Sequence, residues 1–140
     1  MISFDEQKLL KECSAENPCG ENLEYTPQYL ALERIEKYSP EFQFYLSKEN
    51  YLPDWSLIEQ TAIHLLEHTK DLRIAVLLAQ ASVSLDGFVG FAKGLSLIDN
   101  LLSRYWECMH PELDPGDNND PTYRINLISE LGIGKPLFTL

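Results

Sequence analysis

Residues 55–106, WSLIEQTAIHLLEHTKDLRIAVLLAQASVSLDGFVGFAKGLSLIDNLLSRYW, decide the fold of this chain. Asp54 stands at an N-cap position, and Trp55, Ile58, Ala62, Leu65 and Leu66 recur at spacings of three and four, which predicts an amphipathic helix. Thr69 is placed to cap the next helix, with Asp71 complementing the dipole in its first turn. Leu72 to Leu85 is apolar on nearly every side and reads as a buried central helix that Gly87 closes with a left-handed cap. Phe88, Phe91, Leu95, Ile98, Leu102 and Tyr105 then step by three and four, predicting another helix with that stripe inward and Trp106 as its core anchor. Gly87, Gly90 and Gly94 would each weaken an isolated helix by about 0.8–1 kcal/mol, so their presence predicts the close approach of a neighbouring helix.

Outward from this stretch the helical signal continues. Ser3 and Glu6 form a capping box ahead of an apolar stripe of Phe4, Leu9, Leu10 and Cys13, which predicts a short first helix. Asn17-Pro18-Cys19-Gly20 breaks it and begins a loop to Tyr25. Pro27 suits a first helical position, and Tyr29, Leu32 and Ile35 carry a second helix toward Ser39-Pro40. Between Glu41 and Pro53 the aromatics Phe42, Phe44, Tyr45 and Tyr51 crowd together; the alternation at Phe42 and Phe44 suits a strand as easily as a helix, and we read the stretch as helical. After the loop ELDPGDNNDP, Asp120 and Pro121 open a last helix with Ile125, Ile128 and Leu131 inward, ended by Gly132 and Gly134. Residues 135–140, KPLFTL, form an apolar tail with nothing beyond to cover it, which predicts a longer protein. The expected fold class is therefore all-α: a single domain over residues 1–140, with about six helices packed as antiparallel hairpins around a buried central helix.

The 140 residues carry 22 Asp+Glu against 11 Lys+Arg, a formal charge of -11 that repels nucleic-acid phosphates and anionic lipid headgroups. With 44% hydrophobic and 24% charged residues the composition is that of a folded domain. No run reaches the ~18 consecutive apolar residues of a membrane span, and no export signal opens the chain. Cys13, Cys19 and Cys108 are an odd set without zinc-finger spacing, which reads as free thiols in a reducing compartment, the cytoplasm.

The sharpest chemical pattern is His64-Leu65-Leu66-Glu67-His68, the HxxEH of inverzincin metallopeptidases, with two imidazoles one helical turn apart beside a general base. No third protein ligand is singled out, and His64 and His68 lie at the margin of the apolar stripe, so they read as partly exposed surface histidines. Cys108-Met109-His110 lacks a second ligand pair. A calcium loop starting at Asp114 fails, because Asn119 falls at its required glycine and Ile125 at its required bidentate glutamate. Asp114, Asp117, Asn118 and Asp120 therefore read as turn and cap residues. Gly132-Ile133-Gly134-Lys135 lacks the rest of a phosphate loop. No cofactor and no catalytic residue is expected.

Several segments taken together resemble the N-terminal domain of the ImpA/TssA family of type VI secretion. They are Pro18 to Tyr25 (PCGENLEY), Pro53-Asp54-Trp55, Thr69 to Arg73 (TKDLR), Asp86 to Leu95 (DGFVGFAKGL), Trp106, His110-Pro111, and Arg124, Asn126 and Leu131. The likeness runs from about Asn17 to Leu131; Tyr38 to Tyr51 follows no pattern of the family, and Phe91 stands where the family usually has a small aliphatic residue. It marks Gly20, Glu21, Leu23, Trp55, Asp71, Leu72, Arg73, Gly87, Gly90, Gly94, Leu95, Trp106, His110, Pro111 and Arg124 as structural or partner-contact residues.

The resemblance implies an all-α adaptor domain without catalysis, in a cytoplasmic bacterial protein whose C-terminal part, absent here, forms a homo-oligomer. Its implied partners are baseplate, sheath or tube, or membrane-complex subunits of the contractile apparatus. The competing readings are a metal-dependent hydrolase using His64, Glu67 and His68, and a passive spacer.

Overall fold

The computed structural model describes residues 4–37 and 53–131. Ser3, the stretch Tyr38 to Tyr51, the glycines Gly132 and Gly134 and the apolar tail lie outside the described residues. Among the described residues five α-helices follow in order: α1 (Glu6–Leu10), α2 (Pro27–Lys37), α3 (Trp55–Leu66), α4 (Leu72–Tyr105) and α5 (Thr122–Ser129), with a 3-10 turn at Pro115–Asp117 before α5. Among the described residues there is no strand; two isolated bridges join Gly20 to Thr69 and Asp71 to His110.

Local chemistry explains the helix starts. Asp5 caps α1 by accepting from the Gln7 and Lys8 amides at 3.1 and 3.4 Å. This places the cap after the expected capping box, and Lys11 is already extended, so Cys13 lies beyond the helix. Asp54 caps α3 through the Leu57 amide at 3.1 Å, as expected. The cap of α4 is Asp71, through the Arg73 amide at 2.9 Å, and not Thr69, whose hydroxyl donates instead to the Glu21 carbonyl at 2.6 Å. Asp120 accepts from the Thr122 amide at 2.9 Å at the start of α5.

The expected fourth and fifth helices are two arms of α4, hinged at Gly87, where φ is 63° and ψ is -141°. Nothing lies within 4 Å of a Cβ placed on Gly87, so the positive φ alone calls for glycine there. The arms fold back on each other. A Cβ at Gly90 would meet the Ser82 carbonyl oxygen at 1.9 Å, and one at Gly94 would meet Ala79 Cβ at 2.6 Å and Cα at 2.7 Å. Residues 8 and 15 apart in sequence approach this closely only in an antiparallel hairpin. The α4 hairpin packs against α1, α3 and α5, and α2 covers α3.

The second arm buries Ile98 and Tyr105 of the stripe its spacing predicts, but at its start the glycines rather than Phe88 and Leu95 turn inward. Gly90, Gly94, Leu97, Ile98, Leu101 and Tyr105 are buried, whereas Phe88 is 78% and Leu95 41% exposed. Small residues let the two backbones touch, and that contact decides the face. A similar shift occurs in α5, where Arg124 and Leu127 are buried and Ile125 is exposed. By length and composition α4 could cross a bilayer, but half of its most apolar window is buried within the fold. Its first arm, 72–86, would span only about 22 Å of a core roughly 30 Å thick.

The glycine contacts carry a test. Gly94→Ala gains up to about 1 kcal/mol in helix propensity. It forces a methyl onto the Ala79 backbone, so a net loss of about 1–3 kcal/mol in urea unfolding is expected. Ala79→Gly in the same chain removes one of the two colliding methyls and should recover part of that loss. A Gly94→Ala chain more stable than the parent would contradict the hairpin contact.

Candidate functional site

The segments PCGENLEY, TKDLR and His110-Pro111 meet at the end of the α4 hairpin opposite Gly87, where three loops are tied by backbone bonds. The Lys70 amide donates to the Cys19 carbonyl at 2.7 Å, the His110 amide to Lys70 at 2.9 Å, and the Leu72 amide to His110 at 2.8 Å. Gly20, at φ 72°, lies against the chain at His68, whose carbonyl oxygen would stand 2.2 Å from a Cβ there. His110 Nε2 is 2.9 Å from the Gly20 carbonyl, which only accepts, so the imidazole carries its proton on Nε2. A disulfide joins Cys19 to Cys108 across the same junction. This corrects the expectation of three free thiols; among the described residues only Cys13 is free.

Two arginines secure the junction. Arg73 donates from Nε to Asp71 at 3.0 Å, from Nη2 to Asp71 at 2.7 Å and Asn22 at 3.1 Å, and from Nη1 to Glu24 at 2.7 Å. Its guanidinium also lies over Tyr29, 5.3 Å from the ring centroid. Burial works against the Arg73 charge, but the bonds and negative charge of fully buried Asp71 outweigh it and push its pKa up. Burial, then the Asp71 charge, raises the Tyr29 phenol as well. Asp71 thus both caps α4 and pairs with Arg73.

Arg124, 1% exposed, donates to the Pro111, Trp106 and Met109 carbonyls at 3.0, 2.8 and 2.7 Å and stacks on Trp106, 4.6 Å from the ring centroid. Trp106 is consequently half-buried under that guanidinium rather than a core anchor. Burial pulls the Arg124 pKa down.

Lys70 is a buried group that the sequence reading passed over. Fully buried, it donates to the Leu9 carbonyl at 2.6 Å and the Leu66 carbonyl at 3.1 Å. Burial lowers its pKa, opposed by the neighbouring Cys13 thiol, which burial raises. Only its place between Thr69 and Asp71 in a marked segment could have signalled it.

Leu72 is buried, Leu23 and Trp55 pack partly on the core, and Pro111 is half-buried. Glu21 is exposed. Gly87, Gly90, Gly94 and Leu95 lie away from the junction on the hairpin. Asp114 caps the 3-10 turn through the Gly116 amide at 2.8 Å, and Asn118 and Asn119 take positive φ, consistent with turn roles. At the C-terminal end of α3, His64, Glu67 and His68 do come together, their ligand atoms within 4.8 Å of one another.

The arrangement at the junction offers architecture rather than a reaction: the side chains of Asp71, Arg73, His110 and Arg124 are all spent on holding backbone or each other. Among the motif segments the most exposed large hydrophobics are Tyr25, at 83%, and, on the hairpin tip at the other end, the adjacent Phe88 at 78% and Val89 at 68%.

Comparison with known proteins agrees with this pattern. A family model described as ImpA, N-terminal, type VI secretion system matches residues 10–132. The chain is 43% identical over 140 residues to the type VI secretion system component TssA1 of Pseudomonas aeruginosa, covering 98% of this chain and 40% of that protein. The N-terminal domain, including the conserved ImpA_N region, of the TssA component from Burkholderia cenocepacia superposes with a TM-score of 0.77 at 26% identity. That match covers 92% of this chain and 47% of the other. The chain thus spans less than half the length of these relatives.

Proposed function

Since the chain belongs to the ImpA N-terminal family of type VI secretion proteins, we propose that it is the N-terminal adaptor domain of a TssA-like protein and acts by protein contact without catalysis. Its partner is another type VI component of the baseplate, the sheath or tube, or the membrane complex, and its contribution is to assembly of the contractile tail. A cytoplasmic setting and an oligomer built by a C-terminal part belong to the same proposal, supported by the family resemblance and not by the cysteines.

The observation that carries this reading is the division of labour between the two ends of the α4 hairpin. The side chains of Asp71, Arg73, His110 and Arg124 at the junction are consumed internally, while the adjacent Phe88 and Val89 stand out at the tip, where no fold requirement keeps two large apolar side chains in water. An apolar pocket on the partner would take both. The hinge Gly87 and the contact at Gly90 hold that tip in one orientation.

In the full-length protein, Phe88→Ser with Val89→Ser is expected to leave folding within about 0.5 kcal/mol of the parent, since both positions are exposed. It should abolish both crosslinking of this domain to apparatus subunits and secretion. Normal secretion by that variant would reject the tip as the contact. Normal secretion after exchange of the whole domain for an unrelated helical one would reject the adaptor in favour of a spacer.

A further inference from the structure

We propose that His64, Glu67 and His68 form a surface binding site for a divalent transition metal of the zinc type. The three positions are i, i+3 and i+4 at the end of α3, so their side chains share one face one turn apart. Their ligand atoms lie within 4.8 Å of one another, and the imidazole centroids are 5.3 Å apart. Around one tetrahedral zinc with bonds of about 2.0–2.1 Å, ligand atoms sit roughly 3.3 Å apart. Rotation of two exposed imidazoles and a half-exposed carboxylate closes that difference without backbone movement.

Three surroundings favour a cation there. The site sits in the last turn of α3, at the negative end of the helix dipole. The chain as a whole carries -11, which concentrates cations near its surface. Glu67 is within 3.2 Å of Lys8, an exposed pair of small worth that a metal would displace at little cost.

Two imidazoles and one carboxylate select against calcium and magnesium, which take oxygen ligands, and suit zinc, nickel or copper. The fourth coordination position faces solvent and takes water or a side chain from a neighbouring molecule. With Glu67 used as a ligand, the triad retains no general base, so the site binds without hydrolysing.

Isothermal titration of the tag-free, chelator-stripped chain with Zn²⁺ tests this. One saturable site with a Kd on the order of 10 µM is expected. His64→Gln with His68→Gln should weaken it at least roughly tenfold, with Glu67→Gln lying between that variant and the parent. Cys13→Ser should leave it unchanged. Circular dichroism reports whether each variant keeps its helices, and all three exposed or half-exposed changes should. Absence of saturable binding below about 1 mM, or binding that survives the double histidine change, would overturn the proposal. Binding lost on Cys13→Ser would assign the metal to the thiol and overturn it equally.

Discussion

Arg124→Ala is expected to lower the unfolding free energy by about 3–5 kcal/mol, a large fraction of the roughly 5–15 kcal/mol that holds a domain of this size together. The reason is the number of groups that lose their partner at once. The Trp106, Met109 and Pro111 carbonyls each accept from this guanidinium, and each loses that donor in a place closed to solvent by the arginine itself. The Trp106 ring is uncovered in the same step. Arg124→Lys should rescue little, because one ammonium cannot reproduce a planar fork that reaches three oxygens. Urea unfolding of both variants decides it: a loss below about 1 kcal/mol for alanine, or full rescue by lysine, would show that the clasp is dispensable.

Opening the Cys19–Cys108 bond should have an effect of similar size by another route. The two cysteines are 89 residues apart, so the cross-link removes chain entropy from the unfolded state worth about 4–5 kcal/mol in the loop-closure description. Cys19→Ser with Cys108→Ser, or reductant added to the parent, should lower Tm by roughly 10–20 °C in parallel, and reductant should do nothing further to the double variant. Cys13→Ser is the control, since that thiol is outside the bond. A Tm indifferent to reductant would mean the bond contributes nothing to stability. Because the disulfide and the arginine clasp both restrain residues 106–111, their losses should combine to less than their sum.

Much of the local structure was legible. Asp54 caps where its position suggested, Gly87 breaks the long apolar stretch, and Pro27 opens α2, whereas the N-cap of α5 is Pro121 and not the expected Asp120. These are interactions within a few residues, which a linear reading can weigh. The segments PCGENLEY, TKDLR and His110-Pro111 were recognisable as marked, but their meeting place was not. Gly20 touches the chain at His68, and His110 reaches Gly20 across 90 residues, contacts that no local pattern encodes.

The sequence by itself determined that this protein is all-α, where most of its helices begin and break, and which family it belongs to, because capping, periodicity and motif order are properties of neighbouring residues. The stripes of α2 and α3 lie inward as their spacing predicts, but only the tertiary structure decided which stripe faces inward in the second arm of α4 and in α5. In the second arm of α4 an aromatic stripe and a glycine stripe lie side by side, and the nearness of Ala79 and Ser82 selects the glycines, leaving Phe88 outside. In α5 three distant carbonyls draw Arg124 inward past Ile125. Hydrophobicity alone ranks those choices the other way. The cost of unpaired carbonyls and of overlapping backbones overrules it, and both costs exist only once the helices are side by side.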